Sequence, residues 1–153
     1  MTADEVIAAL GLEPHPEGGH YRETFRAPPA ADGARSPVTL IYFLLAEGEV
    51  SRWHRVDASE IWLWHAGAPL QLDIASAEGV ASTHKLGCDL AASESPQAVV
   101  PKDAWQRAQS CGAWTLVSCT VAPGFTFDGF ELAPDSYCPP GFSTKNHDPK
   151  QNR

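Results

Sequence analysis

Two residues that can transfer protons stand close together in this sequence, because His54 is followed six residues later by Glu60. Paired, an imidazole and a carboxylate make a base and its orienting group, which can take a proton from a carbon next to a carbonyl. That proton transfer is the first step of an epimerisation or isomerisation. Burial would raise the pKa of the Glu60 carboxyl unless a charged His54 compensates it. We therefore interpret His54 and Glu60 as catalytic residues.

Side chains near this pair predict a ligand pocket. Alternate residues of a strand share a face, so Trp62 and Trp64 point inward if Glu60 does. Indole faces stack on sugar or aromatic rings, and an apolar lining with few polar groups suits a small organic ligand. The alternative is that both tryptophans simply fill the core. Ser51 can add a hydroxyl group near His54.

Charged residues near the N-terminus add candidate ligand contacts. Arg22 can clamp an anionic group of a ligand through two parallel hydrogen bonds. Glu17 can hold sugar hydroxyls or pair with Arg22, and the sequence leaves both interpretations open.

Strands must position most of these residues. A short helix is predicted over residues 3–10, because Thr2 and Glu5 form a capping box and Gly11 can end the helix. After Gly11 the apolar residues recur with period two, between clusters of turn residues. The predicted strands are 20–26, 38–46, 50–56, 60–65, 69–75, 97–101 and 113–122. Many short strands with frequent turns predict an all-β sandwich or barrel.

Size and charge narrow the class of protein. The chain has 153 residues, 43% of them hydrophobic, which suits one domain, predicted over 1–138 and followed by a polar, flexible tail over 139–153. A formal charge of −8 disfavours nucleic acid and anionic membranes as partners. No apolar run approaches the ~18 residues of a membrane span, and no signal peptide is evident, so we expect a cytoplasmic protein.

The run Leu40–Leu45 is apolar on both faces of its predicted strand. A strand of this kind needs cover on each side. The second cover suggests a homodimer, and a larger monomeric core is the alternative.

Two segments resemble the sequence motifs of the cupin superfamily. Residues 48–67 resemble the first motif, G-x5-H-x-H-x3,4-E-x6-G, except that Val56 replaces its second histidine. Residues 101–106, PKDAWQ, resemble the second motif, P-x-G-x-x-H, with Asp103 at the glycine and Gln106 at the histidine.

Further segments narrow this resemblance to the Cupin_5 (DUF985) family of RmlC-like cupins, often called predicted sugar epimerases. They are PEGGHYRE at 16–23, Ser51 with His54, EIW at 60–62, LG at 86–87 and CTVAPGF at 119–125, within a likeness that runs from about residue 5 to 133. The resemblance implies a double-stranded β-helix, or cupin jelly roll, that is commonly dimeric and whose activity is poorly defined. It also makes Tyr21 a candidate acid on the face of the ligand opposite the base, the alternative being an ordinary strand aromatic.

The resemblance also implies an incomplete metal site. Its candidate ligands are His54, Glu60 and Gln106, and transition metals held by protein usually take three or four good ligands. Val56 offers no metal ligand, and Gln106 offers only a neutral amide oxygen. We therefore expect the binding of a divalent metal to be weak or absent, and we expect no required cofactor. Among the other histidines, His20 is the one placed to complete such a site.

Three functions remain open. The first is a cupin that binds a small polar organic ligand, oriented by His54, Glu60 and Gln106, and acts as a sugar-type epimerase or isomerase by proton abstraction. The second is a binding module or sensor without catalysis. The third is a metal-dependent oxygenase or isomerase with an incomplete ligand set.

Overall fold

A computed structural model describes residues 1–142 of the chain. The N-terminal helix, α1, spans Ala3–Leu10 as predicted. Thr2 accepts a hydrogen bond from the Glu5 backbone N–H, and the Glu5 carboxylate accepts one from the Thr2 N–H at 2.7 Å. Gly11 ends the helix in the left-handed conformation.

Eleven strands follow in the described part of the chain. They are β1 (Glu13–Pro14), β2 (His20–Arg26), β3 (Thr39–Ala46), β4 (Val50–Val56), β5 (Ser59–Gly67), β6 (Leu70–Ala75), β7 (Ala81–Leu86), β8 (Gln97–Val100), β9 (Trp105–Ser110), β10 (Trp114–Ala122) and β11 (Phe130–Leu132). Short 3-10 turns lie at Leu90–Ala92 and Phe127–Gly129.

The strands form two antiparallel sheets. One has the order β1-β2-β3-β10-β5-β8 and the other β11-β4-β9-β6-β7. Most strands that are neighbours in the sheets are distant in sequence, as in a jelly roll. The predicted all-β fold with a short N-terminal helix is confirmed.

All seven predicted strands form, and four were not predicted. β1 and β11 are too short to show a period, and β7 is largely exposed. β9 is different, because its inward positions Gln106, Ala108 and Ser110 are buried although two of them are polar. Apolar periodicity does not detect a strand whose buried residues are polar.

The interior is filled mainly by apolar side chains of both sheets. Trp62 and Phe43 meet edge to face, with ring centroids 5.9 Å apart. Leu70, Leu72 and Leu86 from the second sheet pack with them and are fully buried.

The two apolar faces of β3 find cover inside the same chain. Phe43 and Leu45 face the barrel interior, while Leu44, on the other face, packs against Val6 and Leu12 from the α1 region. Helix α1 therefore supplies part of the second cover that the sequence assigned to another subunit. The homodimer stays a prediction.

Beyond β11 the chain crosses the outer face of the second sheet. The Ala133 N–H donates to the Trp53 carbonyl at 2.9 Å, and the Phe142 ring lies 5.0 Å from the Trp53 ring. Residues 143–153 of the predicted tail lie outside the described residues, so the boundary at 138 stays a prediction. Within residues 1–142 no helix has the length and hydropathy needed to cross a membrane.

Candidate functional site

A cavity of about 440 Å³ opens between the two sheets. This volume lies within the range of small-molecule sites, roughly 300–1,000 Å³. Glu17, His54 and Glu60 are buried polar residues of its wall. Its other walls come from residues that include His15, Tyr21, Thr39, Ile41, Val56, Cys119, Val121, Phe125 and Phe127.

A glycine turn brings Glu17 against β4. Gly18 and Gly19 both have positive φ, 108° and 76°. A Cβ on Gly18 would collide with the Val50 carbonyl oxygen, so glycine is required for this approach. The Arg52 N–H then donates to the Glu17 carbonyl at 2.8 Å, which fixes the loop to β4.

The buried residues Glu17 and His54 form an ion pair. His54 Nε2 lies 2.9 Å from Glu17 Oε2, and His54 Nδ1 lies 2.7 Å from the Arg52 carbonyl oxygen. A carbonyl and a carboxylate only accept hydrogen bonds, so both ring nitrogens must donate and His54 is an imidazolium. The structure thus pairs His54 with Glu17, where the sequence suggested a pair with Glu60.

The pKa values of this pair follow from two opposed causes. Burial disfavours both charges, but the attraction between them outweighs it. The pKa of Glu17 therefore falls below its ordinary value, and the pKa of His54 rises to about 9. At neutral pH the pair is ionised.

Glu60 behaves differently, although it lies in the same cavity. Burial raises the pKa of Glu60 to about 7; the charge of His54 opposes this rise and the charge of Glu17 adds to it. A hydrogen bond from the Gln106 side chain also favours the carboxylate. Glu60 can therefore gain or lose a proton near neutral pH.

Gln106 connects the cavity to the packed core. Its Oε1 accepts a hydrogen bond from the indole N–H of Trp62 at 2.9 Å. Because an indole N–H can only donate, this contact fixes the amide orientation and turns the amide nitrogen toward Glu60. Gln106 itself is fully buried behind the cavity wall.

Trp62 and Trp64 point inward, as the alternation predicted, but they do not line the cavity. Trp62 is buried in the core, and Trp64 packs against that core while its indole N–H donates to the Ala68 carbonyl at 3.0 Å. The prediction of stacking indoles is therefore replaced by the alternative of core filling. The aromatic rings on the cavity wall are those of Tyr21, Phe125 and Phe127.

The remaining predicted residues separate into two groups. Tyr21 and Arg22 border the cavity, and Arg22 donates to the Leu10 carbonyl at 2.7 Å instead of pairing with Glu17. Ser51 is fully buried, and its hydroxyl faces the Glu17 carboxylate without a hydrogen bond of good geometry.

These side chains do not fit a divalent metal. Both nitrogens of His54 are engaged in hydrogen bonds, and the Gln106 oxygen is occupied by Trp62. Residues 1–142 contain no group of three or more His, Cys, Asp or Glu side chains arranged to hold an ion. His20, which the sequence suggested as the residue that would complete a metal site, is absent from the cavity wall. Its Nδ1 lies 3.8 Å from Glu49 Oε1.

Sequence reasoning missed several cavity residues. His15 and Cys119 are on the wall, and burial raises the pKa of the Cys119 thiol well above its usual value, which keeps the thiol protonated. At the rim, Arg26 makes two hydrogen bonds of 2.8 Å to Glu23. The close spacing of His15 and Glu17 before two glycines was the one available signal, because a tight turn places such neighbours together.

Two antiparallel sheets in jelly-roll order that enclose a cavity are typical of the cupin class. The chain belongs to the Cupin_5 family, described as Cupin superfamily (DUF985), whose model matches residues 4–133. Both expectations from the sequence motifs, the family and the cupin jelly roll, are confirmed.

Solved structures agree with this assignment. Protein SO0799 from Shewanella oneidensis is 46% identical, with a TM-score of 0.84 over 88% of this chain and 86% of that one. A hypothetical protein from Leishmania major is 32% identical, with a TM-score of 0.81 over 89% of both chains. An oxalate decarboxylase variant from Bacillus subtilis, 13% identical over 78% of this chain and 29% of that one, shares the fold with a TM-score of 0.61. No curated protein matches the chain.

Proposed function

We propose that this protein binds a small polar organic ligand in the cavity and moves a proton on it, as a sugar-type isomerase or epimerase. The observation that carries the proposal is Glu60, a buried carboxyl on the cavity wall whose pKa, raised by burial, is about 7. A general base works best when its pKa lies near the working pH.

The cavity residues divide the work of such a reaction. Glu60 accepts the proton, while the fixed imidazolium of His54 provides positive charge beside it. His54 has no free nitrogen with which to shuttle protons, so its role is electrostatic. Tyr21 lies three strands from Glu60 in the order β2-β3-β10-β5, and its phenol can return a proton from the other side of the ligand.

Exchange of ligand hydrogens with solvent tests the proposal. Small sugars and hydroxy-carbonyl compounds are incubated with the protein in deuterated water, and deuterium incorporation is followed by NMR. We expect Glu60→Gln to abolish incorporation, while Glu78→Gln, which changes an exposed carboxylate outside the cavity, leaves it unchanged. Full incorporation with Glu60→Gln would refute the assignment.

A binding module or sensor is the second candidate. Its support is that the Glu17–His54 pair is fully engaged within the protein and that much of the cavity wall is apolar. This function predicts that a ligand protects the fold against heat without any deuterium incorporation.

We also propose a cytoplasmic homodimer. A row of side chains on the outer face of the first sheet runs through Phe25, Leu40, Thr120, Ile61 and Val99 in cross-strand register. Phe25 and Val99, at its two ends, are 52% and 56% exposed. Light scattering should show a dimer that Val99→Asp dissociates, and a monomeric native protein would contradict the proposal.

A further inference from the structure

His15 is a buried imidazole that the proposed proton transfer does not yet use. It lies in the turn between β1 and β2, and its side chain is only 6% exposed. The ring packs edge to face against Tyr21, with centroids 4.5 Å apart, and against Phe43 and Phe130 at 5.8 and 6.1 Å. These contacts fix the ring orientation at the cavity wall.

The hydrogen bonds of His15 define its tautomer. The Glu17 backbone N–H donates to His15 Nδ1 at 3.1 Å. Because a backbone N–H can only donate, Nδ1 carries no proton and the proton of the neutral ring sits on Nε2. Burial lowers the pKa of His15, so the ring remains neutral at physiological pH.

The Nε2–H of His15 has no hydrogen-bond partner among residues 1–142, yet it is not sealed inside the protein. His15 forms part of the cavity wall, and its side chain keeps a small exposed fraction. A donor that is otherwise buried and lacks a partner is costly unless something outside the chain accepts its hydrogen bond. The cavity is where such an acceptor would lie.

We propose that His15 Nε2–H donates a hydrogen bond to the carbonyl oxygen of the ligand, and that the ligands are small α-hydroxy carbonyl compounds. This inference rests on the proposed function and names the substrate class of that same site. A neutral imidazole keeps its proton while negative charge develops on the oxygen, as an oxyanion donor must.

The surrounding charges favour an uncharged carbonyl at this position. Glu17 is balanced by the His54 imidazolium, but Glu60 in its basic form adds a further negative charge, so a carboxylate or phosphate of the ligand beside it would be repelled. The arginines of the wall are already engaged, Arg22 by the Leu10 carbonyl and Arg26 by Glu23. His54 cannot serve as the donor, because Glu17 and the Arg52 carbonyl already accept both of its protons. His15 is therefore the imidazole on this wall that has an N–H for the ligand.

The step balances without any further reactant. Glu60 takes the proton from the carbon next to the carbonyl, and the C–H electron pair becomes the carbon–carbon double bond of an enediolate. The carbonyl π pair moves onto the oxygen, which His15 Nε2–H stabilises. Return of a proton to the same carbon gives the exchanged substrate or its epimer. Return to the former carbonyl carbon, with transfer of the hydroxyl proton from one enediolate oxygen to the other, gives the isomer, and neither route involves net oxidation.

Two substitutions at one position separate a ligand contact from a structural role. In His15→Asn the side-chain oxygen can take the place of Nδ1 and accept the Glu17 N–H, but nothing replaces Nε2–H. In His15→Gln the amide nitrogen can take the place of Nε2 and keep the donor, while the Nδ1 acceptor is lost. The probes are dihydroxyacetone and D-xylulose in deuterated water, with glycerol and xylitol as controls that lack a carbonyl.

We expect exchange of both carbonyl probes by the native protein and none of the controls. His15→Asn should slow exchange about 100-fold, as loss of an oxyanion donor does, whereas His15→Gln should stay within about tenfold of native. The melting temperature should fall more in His15→Gln, because that variant leaves the Glu17 N–H without its acceptor.

Each other outcome has a distinct meaning. Native exchange rates in His15→Asn, together with loss of exchange in Glu60→Gln, would overturn the role of His15 and leave the proposed function standing. Undiminished exchange in Glu60→Gln would overturn the proposed function itself. If the native protein exchanges neither carbonyl probe, the assigned substrate class is wrong.

Discussion

The two halves of the barrel interior are built from the same strands but serve opposite purposes. On β5, Glu60 faces the open cavity, while Trp62, two residues later on the same side of the strand, is 1% exposed in a closed apolar core. The closed half contains large side chains with fixed packing. The open half contains ionisable groups, each of which would be unstable in the core without a partner.

Gln106 lies on the boundary and shows how the halves depend on each other. Its oxygen is held by Trp62 from the closed half, and its amide nitrogen supports Glu60 in the open half. A packed core that fixes the groups behind a site keeps the site in one geometry. The closed half therefore determines the stability, and the open half determines the chemistry.

Removing the largest side chain of the closed half should have the largest effect on the free energy of unfolding. Trp62→Ala deletes a fully buried indole and leaves the Gln106 oxygen without its donor. We expect a loss of about 3–5 kcal/mol in the free energy of unfolding, measured with urea. Trp62→Phe is the control that keeps most of the packing, and equal losses in the two variants would mean that the hydrogen bond dominates.

Breaking the ion pair of the open half should have the next largest effect on the free energy of unfolding. Glu17→Gln leaves the His54 imidazolium buried without its counter-charge, and we expect a loss of about 3 kcal/mol near pH 6. His54 has a raised pKa, so its stabilisation is complete below 6.5 and is lost as pH rises through about 9. The difference in the free energy of unfolding between the native protein and Glu17→Gln should therefore shrink as the pH rises through about 9.

The exposed pair of Glu23 and Arg26 provides the matched control for that experiment. Glu23→Gln should cost no more than about 1 kcal/mol, because solvent screens a surface ion pair. An NMR titration should also show the pKa of His54 falling in Glu17→Gln. A pKa that stays near 9 would mean that Glu17 is not what raises it.

The sequence predicted the two halves unequally. The closed half follows from local rules, because the alternation of Glu60, Trp62 and Trp64 places all three on the inner face. The Glu17–His54 pair was missed because it joins residues far apart in sequence, through a glycine turn that passes close to β4. Alternation gives the direction of a side chain but not which end of the interior is filled.

The effect of Glu60 on stability should be smaller and of opposite sign to that of Glu17. Burial raises the pKa of Glu60 from 4.5 to about 7, so its contribution is most favourable below 4.5 and is lost as pH rises through 7. Glu60→Gln removes the cost of burying a carboxylate. Above pH 7 we therefore expect the free energy of unfolding of the variant to exceed that of the native protein by about 1–2 kcal/mol. The figure is reduced because water in the cavity hydrates the carboxylate. Urea unfolding near pH 5 and pH 9 measures the change, and a variant that is less stable than native at the higher pH would contradict it.

Metal ions should have the smallest effect, because the open half is organised around hydrogen bonds. With His54 held by Glu17 and the Arg52 carbonyl, and with Gln106 turned to Trp62, a metal would have to displace existing partners before it could bind. We expect elemental mass spectrometry of the untagged protein to find far less than one equivalent of iron, manganese, nickel or zinc. About one equivalent in the native protein, lost in His54→Ala, would show that the ion pair opens to form a metal centre, and the open half would then be a metal site closed by its own side chains.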